Sequence, residues 1–161
     1  MTNYENPSQF NIVLNSQYIA SSSSGNNNDC SYEFNWTNIP QGKYIMSFSY
    51  RGKNNADLVV SDSPQVFLSL ACSQSVYEAS GEYGSSISNF IGSLRIETHA
   101  AGQVYYYSNL NDNPDVFFKF KPTTGVIRVQ VFKDDFVTPF LTGTGTELAD
   151  YVMVLSFKPV L

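Results

Sequence analysis

Histidine is almost absent from this chain. His99 is the single one in 161 residues, so an imidazole metal site or a Ser-His-Asp or Cys-His relay would have to rest on that one ring. It follows Glu97 and precedes Ala100-Ala101-Gly102, which reads as an exposed strand end entering a turn. Charge is scarce as well. Charged residues make up 14% of the chain, against about 25% in an average soluble protein. The 9 Lys and Arg face 14 Asp and Glu, for a net charge of -5. That balance lacks the cationic footprint that phosphate neutralisation requires, so no nucleic-acid partner is expected. No apolar run approaches the roughly 20 residues of a membrane span, and Met1-Thr2-Asn3-Tyr4-Glu5-Asn6 carries neither the basic nor the apolar stretch of a signal peptide. The expectation is a soluble protein made in the cytoplasm and not secreted, with no membrane span.

Cysteine is nearly missing too. Cys30 falls in a polar stretch read as a loop and Cys72 at the end of an apolar strand, with no Cys-x-x-Cys pair, so two free thiols are expected. The sequon Asn35-Trp36-Thr37 is a formal match that matters only after secretory transport. Carboxylates come close together at Asp112 and Asp115 and at Asp134-Asp135, but neither set has the spacing of a calcium loop, and Asn- and Asp-rich segments form turns through their own side chains. The Gly143-Thr144-Gly145 segment resembles part of a phosphate loop without the helix that would present backbone amides to an anion. No catalytic, cofactor-binding or metal-binding residue is assigned, and an enzyme is not expected.

What the chain does have is period-two alternation of apolar and polar residues, interrupted by Gly, Pro, Asn and Ser. Strands are predicted at Phe10 to Leu14, along Tyr32, Phe34 and Trp36, and at Lys43 to Tyr50, where Tyr44, Met46, Phe48 and Tyr50 share a face. Further strands are predicted at Gln65 to Cys72, Ile91 to Thr98, Val104 to Tyr107, Val116 to Phe120, Val126 to Phe132 and Tyr151 to Lys158. The polar run from Ser21 to Asn28 reads as a surface loop, and Lys121-Pro122-Thr123-Thr124-Gly125 as the turn of a hairpin between Phe120 and Val126. Helix is permitted only in short pieces, around Val76 to Ser80 and Glu147 to Ala149. Eight or nine short strands without helical crossovers predict one all-β domain over residues 1–161. Its expected architecture is an antiparallel β-sandwich, a single jelly roll of about eight strands.

Aromatic residues are plentiful at 15%. In Tyr105-Tyr106-Tyr107 successive rings must point to opposite faces, so one face of that strand shows phenols outward, and Tyr32, Trp36, Tyr77 and Tyr83 fall near loops. Two strands are apolar on both sides. Val66, Leu68 and Leu70 oppose Phe67 and Ala71, while Tyr151, Met153, Leu155 and Phe157 oppose Val152 and Val154. A sandwich buries one face of each sheet, so a neighbouring subunit or the chain's own loops must cover the other; the low charge content favours a subunit.

One family resemblance emerges from these segments. The succession Phe10-Asn11-Ile12-Val13-Leu14-Asn15-Ser16, Tyr32-Glu33-Phe34-Asn35-Trp36 and Ile39-Pro40-Gln41-Gly42-Lys43-Tyr44-Ile45-Met46-Ser47-Phe48 resembles the opening of small single-jelly-roll capsid proteins of large double-stranded DNA viruses and their relatives. Asn113-Pro114, Pro122-Thr123-Thr124-Gly125-Val126 and the closing Tyr151 to Val160 are similar to the later strands of that group. The likeness is one of pattern and order along nearly the whole chain. It implies a structural virion protein without catalytic residues: a penton, homopentameric at the capsid vertex, or a minor capsid protein seated beside a major capsid protein. Only about eight residues precede the first strand, a short N-terminus for such a protein. The alternative is a carbohydrate- or receptor-binding jelly-roll module of fibre-head type; a trimeric ligand of the tumour-necrosis-factor-like class is a third reading, against which the lack of an export signal counts.

Overall fold

The computed structural model describes residues 8–19, 21–22, 27–54, 64–69, 75–78, 85–99, 103–118, 121, 125–140 and 148–161. Its strands are β1 (Phe10–Asn15), β2 (Ser21–Ser22), β3 (Asp29–Glu33), β4 (Tyr44–Asn54), β5 (Gln65–Ser69), β6 (Ser75–Glu78) and β7 (Ser85–Ser88). They continue with β8 (Phe90–Ser93), β9 (Arg95–His99), β10 (Gln103–Ser108), β11 (Val116–Phe118), β12 (Val126–Phe132) and β13 (Tyr151–Pro159). Two 3₁₀ turns, η1 (Ser16–Tyr18) and η2 (Trp36–Asn38), interrupt the first half. Each is opened by an asparagine, Asn15 and Asn35, whose side chain accepts the N–H two residues on. No helix among the described residues is long and apolar enough to cross a membrane.

All strand pairs are antiparallel and form two main sheets. One runs β1-β13-β4-β10-β9, with β11 also paired to β4; the other runs β2-β3-β12-β5-β8. Strands β6 and β7 pair with each other as a separate two-stranded sheet. The 11-residue β4 organises the first sheet: one edge pairs with β13 from Tyr44 to Gly52, and the other holds β11 against Tyr44 to Met46 and β10 against Tyr50 to Asn54. The two sheets close one β-sandwich around one core. Tyr44, Met46, Phe48 and Tyr50 face that core from β4, Ile127, Val129 and Val131 from β12, and Tyr151, Met153, Leu155 and Phe157 from β13. Phe157 centres one end, stacked on Phe10 with centroids 4.7 Å apart and meeting Trp36 edge-on at 5.9 Å. At the other end the Tyr32 hydroxyl donates to that of Tyr151 across the sheets at 2.9 Å.

Several expectations are corrected. The predicted hairpin across Gly125 does not form: β11 lies in the β4 sheet and β12 between β3 and β5. Val116 and Phe118 on one side and Ile127, Val129 and Val131 on the other feed the same core, and apolar alternation does not say from which sheet a residue enters it. The strand drawn through Trp36 ends at Glu33, with Trp36 in η2. The run from Ile91 to Thr98 divides at Leu94, whose N–H donates to the Pro64 carbonyl as the chain passes from the second sheet to the first. Val76 to Glu78 is strand rather than helix. Asn28, assigned to a surface loop, is buried, its carboxamide donating to the Phe140 carbonyl. Cys30, also assigned to a loop, is buried within β3.

Candidate functional site

The outer faces of the two sheets differ in kind. On the second sheet, Arg128 grips Asp29 with two nitrogens at 2.8 and 2.6 Å, and the Ser93 hydroxyl donates to Gln65. Beside them Phe67 is covered by Phe90, Phe132 and Phe136, with ring centroids 5.5, 5.0 and 6.1 Å away. Phe136 reaches this place from a backbone with φ of 60°, in a turn whose Asp135 carboxylate accepts the N–H groups of Val137 and Thr138. Phe67, on the second apolar face of β5, is therefore covered by the chain's own Phe90, Phe132 and Phe136.

The first sheet keeps its outer face open. Val13 on β1 is paired with Val154 on β13 and is 63% exposed; Val152, two residues along β13, is 40% exposed. At the opposite end Phe117 of β11 is 51% exposed and paired with Ile45 of β4. Between these apolar ends sit Ser47 and Ser156, partners in the β4–β13 register, at 9% and 3% exposure. The same face carries the exposed Asn11 and Lys158, register partners of Ser156 and Ile45, so its apolar side chains are interspersed with polar ones. Residues 152, 154 and 156 alternate with the core set 151, 153, 155 and 157, so burying the odd positions leaves the valines outside.

Towards β9 the same face changes character. Register aligns Lys53, Tyr105 and Glu97 in one row and Arg51, Tyr107 and Arg95 in the next. Tyr105 and Tyr107 are half-buried, and the Lys53 ammonium lies 5.6 Å from the Tyr105 ring centre. A groove of about 520 Å³ runs over these residues, bounded by Asn109 and Asp150. A second cleft, about 720 Å³, opens at the end of the sandwich beside Trp36, where the Lys121 ammonium donates to the carbonyls of Trp36 and Ile39 at 3.0 and 2.8 Å.

Beneath the open face lies a group of buried hydroxyls. Burial raises Tyr32, Tyr50 and Tyr151 far above the ordinary phenol range and pushes Tyr106 up to about 12. Tyr50 stacks on Tyr151 at 4.7 Å, and the hydroxyls of Tyr50 and Tyr106 have no hydrogen-bond partner among the described residues. Burial likewise raises the Cys30 thiol, an inert setting for sulfur. Next to this group the Asp150 carboxylate accepts from the Gln17 amide, the Asn27 amide and the Ser16 hydroxyl, all between 3.0 and 3.1 Å, and these bonds hold its pKa below the usual carboxylate range.

The residues singled out in the sequence are not brought together. His99 ends β9. Asp112 caps a turn by accepting the Asn109 N–H and pairs with Arg95 at 2.9 Å, while Asp135 serves the turn already described. Asp115 and Asp134 are exposed. Among the described residues no three His, Cys, Asp or Glu side chains converge as metal ligands would. Cys72, Tyr83 and Gly143-Thr144-Gly145 lie outside the described residues; Tyr77 falls in β6. Asp150 and the rows of Arg51, Lys53 and Glu97 escaped the sequence reading, because rows across three strands exist only once register is set. Comparison with known proteins finds no family model that matches the chain and no curated protein that matches it in sequence.

Proposed function

We propose that this chain is a structural virion protein, a penton of single-jelly-roll type that forms a homopentamer and sits beside a major capsid protein in an icosahedral capsid. The observation that carries the reading is the outer face of the first sheet, where Val13, Val152 and Phe117 are exposed beside Val154 and Ile45, with Asn11 and Lys158 among them. Exposed apolar side chains on one sheet face fit a surface covered by another copy. The strand order supports the jelly-roll part: in one sheet the first strand lies beside the last and the last beside β4, while in the other β3, β12, β5 and β8 lie in sequence. Strands from the two ends of the chain thus alternate across both sheets, as two interlocked Greek keys require. Charge scarcity agrees, since charged groups are depleted where subunits meet.

Light scattering coupled to size exclusion, over a range of concentrations, tests the proposal. A closed species of about 90 kDa, five times the 18.0 kDa chain, supports the vertex role. A trimer would move the reading to the fibre-head class, and a monomer at every concentration would overturn assembly through this face.

A further inference from the structure

We infer that the groove over Tyr105 and Tyr107 is a carbohydrate-binding site, taking a short neutral saccharide on the outer face of β4, β10 and β9. Three features of the groove carry this, and none depends on the assembly role. First, its volume of about 520 Å³ lies within the roughly 300–1,000 Å³ of small-ligand sites. Second, its floor is a pair of phenol rings two residues apart on one strand, held by a sheet whose pairing fixes Tyr105 between Lys53 and Glu97 and Tyr107 between Arg51 and Arg95. Half-exposed phenols present an apolar face to the C–H groups of a pyranose and a hydroxyl to its polar edge.

Third, the groove holds charges of both signs. Arg51 and Lys53 supply donors, Glu97 supplies an acceptor, and the Asn109 carboxamide at the groove's end supplies both. A sugar hydroxyl donates and accepts, so vicinal hydroxyls use both signs at once. A phosphate or a polyanion would meet Glu97 and Asp150 within the same groove and a chain of net charge -5 around it. An aliphatic ligand would leave the charged groups desolvated and unmatched. The chemistry left is that of an uncharged polyol with an apolar ring face.

The test uses the full chain. A printed array of neutral, sialylated and sulfated oligosaccharides identifies a binder, and titration of that oligosaccharide against 3-fluorotyrosine-labelled protein follows the rings by fluorine NMR. The expected result is a neutral binder that shifts the Tyr105 and Tyr107 resonances, with affinity falling about tenfold in Tyr107→Ala. Glu97→Gln, at an exposed position, should weaken binding severalfold and serves if Tyr107→Ala is unstable. An array without a neutral binder overturns the inference. So does binding confined to sulfated chains, or binding that Tyr107→Ala and Glu97→Gln leave unchanged. Because Arg51 pairs in register with Val152 of the assembly face, the titration is repeated on Val13→Lys: binding absent from both proteins overturns this inference, while the masses of the two test the assembly reading separately.

Discussion

The Asn113 carboxamide lies directly against Gly92 and holds the next residue on both sides, Oδ1 accepting the Ser93 N–H at 2.9 Å and Nδ2 donating to the Ser93 carbonyl at 3.1 Å. Nδ2 also donates to the Ser108 hydroxyl at 3.0 Å. One side chain therefore ties the turn between β10 and β11, in the first sheet, to β8 in the second. Asparagine suits this place because a carboxamide copies the donor and acceptor of a peptide group.

Gly92 has no room for a side chain. Its φ of 153° disfavours any L residue, and a Cβ there would overlap the Asn113 carboxamide. Gly92→Ala should cost about 2–4 kcal/mol in denaturant unfolding, and Asn113→Ala about 1–3 kcal/mol, from the lost bonds to Ser93. The double variant should cost less than the sum, because removing the carboxamide relieves the overlap. Strict additivity would show that the two residues do not meet.

Two classes of buried tyrosine should respond oppositely to loss of the hydroxyl. Tyr151→Phe leaves the Tyr32 O–H without its acceptor and should destabilise by about 1–2 kcal/mol. Tyr50→Phe removes a hydroxyl that has no partner among the described residues and should be neutral or stabilising by up to about 1 kcal/mol. Thermal or urea unfolding of both variants separates them, and equal losses would contradict the assignment.

The same phenols set an alkaline limit. Burial raises Tyr32, Tyr50, Tyr106 and Tyr151 in the folded state, so folding favours their neutral forms. Their contribution is complete below the ordinary phenol pKa of about 10 and is lost as pH rises from there, through about 12 for Tyr106 and beyond for the others. Absorbance at the phenolate band should show a cooperative step above the ordinary phenol range, coincident with loss of structure. A single smooth titration of all 11 tyrosines would contradict it.

At the acid end Asp150 acts in the opposite sense. Its pKa is lowered chiefly by the Gln17 amide, with Asn27 and Ser16 adding to it, so its stabilisation is complete above the ordinary carboxylate pKa and fades as pH falls below it. The carboxylate is largely exposed, which limits the effect to about 1 kcal/mol. Asp150→Asn should lower stability by that amount at pH 7 and by little at pH 2, measured as the shift in urea midpoint. An equal loss at both pH values would assign the effect to packing.

The strands were legible where alternation was strict and both neighbours were deep in the core: residues 126–132 were bounded correctly, and β4 was found but runs on to Asn54. The break at Leu94 also left a trace, because Ile91 and Leu94 are three apart and slip the period of two. The hairpin failed for a different reason. Pro122 and Gly125 are local turn chemistry, and whether a turn returns a strand to its own sheet or to the facing one depends on pairings made elsewhere. Tyr105 and Tyr107 could be placed on one face from their spacing, but the Arg51 and Lys53 beside them come from a strand some fifty residues away and appear only with register. The question of what covers the doubly apolar strands divides: Phe136 covers Phe67 on β5, whereas Val152 and Val154 on β13 stay outside.

That division yields a test of the assembly face. Val13 and Phe117 are largely exposed in the protomer, so Val13→Lys and Phe117→Lys should leave its stability within about 0.5 kcal/mol, as surface substitutions do. In an assembly that buries this face each places a further ammonium in the contact, at a cost of several kcal/mol unless the charge finds a partner. Light scattering should show either variant shifting toward the protomer mass with an unchanged circular dichroism spectrum. Val137→Lys, equally exposed but on the turn beside Phe136, should retain the parent mass. If all three keep the parent mass, subunits meet elsewhere and this face is free; if Val137→Lys alone dissociates, the interface lies on the opposite sheet.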